Sequence, residues 1–87
     1  MKVFKYRLNT ELLEIGRLEI EGFAGVVHFD RDAFGDMCLW SLIYSNNDAA
    51  IVEFIVAGTG HEVDDSFDYV MTFNDGGLLR HLFLREA

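Results

Sequence analysis

The sequence predicts an all-β domain, a small antiparallel sandwich or barrel-like sheet of about six to seven strands, with at most one short helix. Three observations predict it. Short apolar runs recur along the chain, separated by clusters of Gly, Asn, Asp and Ser. Several runs alternate apolar with polar residues, the pattern of a strand with one wet face. The one helix-like stretch, residues 12–20 (LLEIGRLEI), is short and interrupted by Gly16. With 87 residues the whole chain, 1–87, reads as a single domain.

Each element follows from its residues. Residues 3–8 set Phe4, Tyr6 and Leu8 against Val3, Lys5 and Arg7. In residues 12–20 the acid at Glu19, followed by Glu21, favours an extended segment. Residues 23–29 place Phe23, Val27 and Phe29 on one side and Val26 and His28 on the other. Residues 30–36 (DRDAFGD) form a polar turn or a single helical turn. Residues 37–44 (MCLWSLIY) are nearly continuous in apolar residues, as in a central strand buried on both faces. The turn at residues 45–48 (SNND), answered by the apolar run 51–57, predicts a hairpin. A glycine-rich exit (residues 58–61, GTGH) and an acidic loop (residues 62–68) come next. Residues 69–73 and 78–85 form a second hairpin around Asn74-Asp75-Gly76-Gly77, an Asp-Gly turn.

The charge pattern is the strongest functional signal. From Asp32 to Leu79 there is no Lys or Arg, yet nine acids: Asp32, Asp36, Asp48, Glu53, Glu62, Asp64, Asp65, Asp68 and Asp75. The formal net charge is −8. Direct binding to nucleic acid or to an anionic membrane is disfavoured, because both need clustered cations. A negative surface suits a basic protein partner instead. Glu62, Asp64, Asp65 and Asp68, with Trp40 and Tyr69 as aromatic anchors, are the candidate partner-binding residues. The plain alternative is a solvated face that confers solubility. The aromatic content, 14%, also admits a homodimer or a structural homo-oligomer.

A second candidate site is Gly58-Thr59-Gly60-His61. Two glycines permit positive φ and close backbone approach, and His61 could donate or carry a proton, so a nucleotide or metabolite could sit there. The structural alternative is a strand exit tied down by Thr59 and His61. No Lys follows, so the segment is not a phosphate loop.

Enzymatic chemistry finds no converging set. Cys38, Ser41, Ser45, Thr59 and Ser66 show no spacing towards His61 or His81 that marks a nucleophile and its base. The histidines are too scattered for a local zinc site, and Asp64-Asp65-Ser66-Phe67-Asp68 lacks the glycine and terminal Glu of a calcium loop. The expectation is a protein without catalytic residues, metal or cofactor. A lone cysteine, no signal-peptide pattern and no apolar run of membrane-spanning length imply a cytoplasmic protein.

Lys2–Tyr6 (KVFKY), Cys38–Trp40 (CLW), Gly58–His61 (GTGH), Thr72–Phe73 (TF) and His81–Phe83 (HLF) together resemble a family of small phage and prophage proteins of unknown function. The chain departs from that family between residues 12 and 36, where a Pro-Gly turn is expected and no proline occurs. It also carries Arg80 where the family has tryptophan before the closing histidine. The resemblance implies a phage-encoded accessory protein active in the host cytoplasm, of a kind that blocks a host factor such as a defence nuclease.

Overall fold

The computed structural model describes residues 1–8 and 10–87. It contains seven strands: β1 Lys2–Arg7, β2 Gly16–Ile20, β3 Phe23–Arg31, β4 Met37–Ile43, β5 Ala50–Gly58, β6 Asp68–Asp75 and β7 Leu78–Glu86. They form two antiparallel sheets, one of order β1-β4-β3 and one of order β2-β5-β7-β6. Among the described residues there is no helix, so none is long and apolar enough to cross a membrane. The segment at residues 30–36 is no helical turn: β3 runs on to Arg31, and residues 32–36 close a β3–β4 hairpin.

Alternation explains the packing. Leu8 follows β1 on its inner side, Phe29 on β3 and Leu39 and Ile43 on β4 face inward from the smaller sheet. Ile20, Val52, Phe54, Val56, Phe73 and Leu82 face them from the larger one. Phe29 and Phe73 meet edge to face, centroids 4.8 Å apart, and join β3 to β6 across the sandwich. The central strand β4 is buried at Cys38, Leu39, Ser41 and Ile43. Ser41 keeps its hydroxyl satisfied by donating to the Gly25 carbonyl at 2.9 Å, beside the register shift in β3.

Two sequence expectations need correction. The turn at residues 45–48 does not join a hairpin. β4 lies in the smaller sheet and β5 in the larger, so residues 44–49 carry the chain from one sheet to the other. Turn residues reverse the chain whether or not the flanking strands then pair. The stretch 12–20 is a strand only from Gly16 onward; residues 12 and 13 form a turn, with Leu13 at φ 66°. The β6–β7 hairpin is as expected. Asp75 pairs with Leu78, and Gly76 and Gly77 take φ of 61° and 93°, the left-handed pair a two-residue turn demands.

The 32–36 loop is organised by one carboxylate. Asp32 accepts hydrogen bonds from the Phe34 and Asp36 amides at 2.9 and 3.0 Å and from Lys5 Nζ at 2.7 Å. The hydrogen bond from Lys5, reinforced by the two amides, lowers its pKa from 3.8 to about 2. Asp64 and Asp75 are also lowered, by bonds from Ser66 and from Arg31. These carboxyls bind protons more weakly in the fold than in the unfolded chain. Their stabilisation is therefore complete above the ordinary carboxylate range and lost as pH falls through the folded values. Melting temperature should drop steeply between about pH 4 and about pH 2. Asp32→Asn should melt lower than wild type at neutral pH and lose less on acidification, a difference that melts at the two pH values will read.

Candidate functional site

The connection from β5 to β6 positions the acidic residues. These strands are not neighbours, because β7 lies between them. β5 ends opposite Arg80 and β6 begins opposite Leu84, so residues 59–67 must travel back along the sheet. Arg85, which alternation places on the outer face, shows where they go. Its guanidinium donates to Glu53 at 2.9 Å, bonds the Ser66 hydroxyl and stacks over the Phe67 ring at 4.0 Å. Residues 59–67 thus form a strap across the outer face of the four-stranded sheet. Phe67 is buried, as are Ile55 and Ala57 on that same face of β5. Glu62, Asp64, Asp65 and Asp68 are exposed.

Strand pairing and the packing of the two sheets redistribute the charge. Four of the nine acids in the base-free stretch meet a base from outside it: Asp32 with Lys5 at 2.7 Å, Asp36 with Arg7 at 3.2 Å, Glu53 with Arg85 and Arg17, and Asp75 with Arg31 at 2.7 Å. Asp64 is engaged locally. It accepts the Ser66 amide at 2.8 Å, and the Ser66 side chain, that amide and nearby Arg85 hold its carboxyl below the usual range. Among the described residues, Asp48, Glu62, Asp65 and Asp68 form no ion pair within 4.0 Å. Three of these four lie between residues 62 and 68, next to Tyr69, which is 58% exposed.

The two aromatic candidates part company. Tyr69 packs edge to face on Phe83, 5.8 Å between centroids, on the strap side. Trp40 sits on the outer face of the other sheet, opposite Lys5 and His28, with the His28 ring 5.2 Å away and Lys5 Nζ 5.8 Å from its centroid. Trp40 therefore lies on the far side of the sandwich and cannot serve the surface that carries Tyr69.

Residues 58–61 form a tight turn at the start of the strap. The His61 amide donates to the Gly58 carbonyl at 3.2 Å, the Gly58 amide donates to His61 Nδ1 at 3.1 Å, and Gly60 takes φ 88°. Thr59 Oγ1 is 2.9 Å from His81 Nε2. These groups tie the turn to itself and to β7. Sequence reasoning missed where that last bond leads. His81 Nδ1 is 2.8 Å from Thr72 Oγ1, which is 2.8 Å from the Tyr69 hydroxyl, so a polar chain links the Gly58–His61 turn to the exposed tyrosine. Alternation puts His81 and Phe83 on one face of β7, but Tyr69 and Thr72 are three positions apart and share that face only through the register shift between Tyr69 and Met71, which leaves no signal in the sequence.

Cys38 lies under the 32–36 loop, its Sγ 3.4 Å from the Asp36 carbonyl and 3.7 Å from the Asp32 carboxylate. Burial, helped by Asp32, pushes the thiol pKa up, so it is a poor nucleophile. His28 is on the smaller sheet, whereas His61 and His81 border the larger one.

A family model described as a domain of unknown function, DUF7352, matches residues 1–87. The chain belongs to that family. No curated protein and no solved structure matches it. The family description assigns no activity.

Proposed function

We propose that this domain is a non-enzymatic interaction protein that docks on a basic protein surface through its strap. Glu62 and Asp65 on the strap and Asp68 at the start of β6 supply the charge, Tyr69 beside it is the anchor, and Asp64 shapes the strap from within. The observation that carries this reading is the sorting of acids by strand pairing and sheet packing. Four acids of the base-free stretch are consumed in ion pairs, while three unpaired and exposed ones follow closely along the chain, Glu62 and Asp65 on the strap and Asp68 where it enters β6, just before an exposed aromatic. A strap pinned by Arg85, by the Asp64–Ser66 bond and by the buried Phe67 is well suited to docking, since less ordering entropy is lost on binding. Charge of one sign at the rim speeds association and selects partners. In its concrete form the protein is a phage-type accessory factor acting in the host cytoplasm, and its partner is a host defence protein whose nucleic-acid-binding groove the acids occupy.

The test is a pull-down from bacterial lysate at about 0.1 M and about 0.5 M salt, conditions between which the screening length falls about twofold. One basic nucleic-acid-handling protein should be retained at low salt and released at high salt. A specific partner held equally at both salts, or a partner that is itself acidic, would reject the electrostatic mechanism.

A further inference from the structure

A pocket of about 270 Å³ opens at the end of the sandwich where β3, β6 and β7 converge with the segment after β1. Its two guanidiniums, Arg31 and Arg80, are the residues that flank the base-free stretch in sequence. Their states differ. Arg31 is locked to Asp75 by two bonds, 2.7 and 3.1 Å, and donates to the Gly35 carbonyl at 2.9 Å. Arg80 is half-buried, points inward by alternation and, among the described residues, has no carboxylate within 4.0 Å. Gly58 makes room for it: a Cβ there would lie 3.1 Å from Arg80 Nη1. The lining is completed on its apolar side by Met37 and Val56.

We propose that this pocket binds a small organic carboxylate with a short apolar body. The Arg80 fork would take the carboxylate in a bidentate pair, the geometry for which a guanidinium is preorganised. Met37 and Val56 would cover the apolar body. Asp75 and Glu11, also in the lining, weigh against a dianion such as phosphate. The volume lies at the small end of ligand pockets, which excludes a nucleotide. This site is separate from the strap and independent of its role. The carboxylate could be a free acid or the C-terminus of a peptide.

The test uses butyrate as probe, with chloride of equal ionic strength and inorganic phosphate as controls. Butyrate should raise the melting temperature of the wild-type chain saturably, by at least about 4 °C. Its amide chemical-shift changes should map to residues 10–12, 37, 56 and 80. Arg80→Gln should abolish both effects. A tripeptide ending in a small apolar residue, run alongside, separates the two sources: tighter binding than butyrate assigns the peptide terminus, weaker binding the free acid. No saturable shift beyond the chloride control, or shifts that map elsewhere on the wild-type chain, would overturn the proposal without reliance on the variant.

Discussion

Phe29→Ala will remove a large share of the domain's folding stability. Phe29 is fully buried, and its ring is an apolar contact through which β3 of one sheet meets β6 of the other. Truncating a buried phenylalanine costs about 3–5 kcal/mol, the upper end applying where the cavity cannot collapse. The edge-to-face pair with Phe73 adds about 0.5–1.5 kcal/mol that no aliphatic residue restores. A domain of this size has a stability of only about 4–13 kcal/mol. Melting temperature should fall by roughly 15 °C or more, on the scale of about 4–8 °C per kcal/mol for a small domain. Circular dichroism melts read this directly. Phe29→Leu should lose clearly less, and a Phe29→Ala melt within a few degrees of wild type would mean that the two sheets are held by something else.

Gly16→Ala carries the next largest effect, and it acts by crowding. A Cβ at Gly16 would meet the Phe54 ring inside van der Waals contact, with Cε1 at 2.6 Å and Cζ and Cε2 closer still. Phe54 is buried in the core and cannot swing away. Gly16 pairs with Phe54 on neighbouring strands, so the ring lies flat over the glycine and takes the space its side chain would occupy. Overpacking of this kind costs about 1–3 kcal/mol. The expected loss is about 2–3 kcal/mol, measured by urea denaturation. Adding Phe54→Leu should recover part of it. The two changes together should then cost less than their sum, the coupling that contacting residues show in a double-mutant cycle.

Gly16 also marks the limit of what the sequence discloses. One-dimensional reading takes it as an interruption of a helix-like stretch, with Glu19 and Glu21 favouring an extended segment over residues 12–20, which is right for residues 16–20. The reason the site needs glycine, a phenylalanine 38 positions away, is a fact of pairing. The second hairpin was legible because Gly76 and Gly77 specify a turn conformation that only a narrow set of residues tolerates. The supposed hairpin at residues 45–48 was not, because Ser, Asn and Asp signal a reversal without saying which strands pair afterwards. β5 instead pairs with β2 and β7.

The candidate site was legible in composition and not in arrangement. The base-free stretch reads as a single acidic region, yet antiparallel pairing brings Lys5, Arg7, Arg17 and Arg85 to acids inside it, and the packing of β3 against β6 brings Arg31 to Asp75. Neutralisation by residues tens of positions away leaves no local trace. The acids at residues 62–68 stand apart because their segment is a crossover on the outer face, where bases are few and apolar neighbours such as Phe67 turn inward. Trp40 and Tyr69 look equivalent as exposed aromatics in sequence. Only the assignment of β4 and β6 to different sheets separates them.

The strap is tested most directly by two charge-matched triple variants compared against the partner that the pull-down isolates. One carries Glu62→Lys, Asp65→Lys and Asp68→Lys. The other carries Glu14→Lys, Glu19→Lys and Asp48→Lys, exposed acids outside the strap. Both change the net charge equally, and none of the six acids forms an ion pair among the described residues. The strap variant should weaken binding at least about tenfold more than its counterpart, since each tenfold step needs only about 1.4 kcal/mol, and Tyr69→Ala alone should also weaken it. Equal weakening by the two triple variants would reduce the acids to a general property of charge, and binding untouched by the strap variant would remove the strap from the interface altogether.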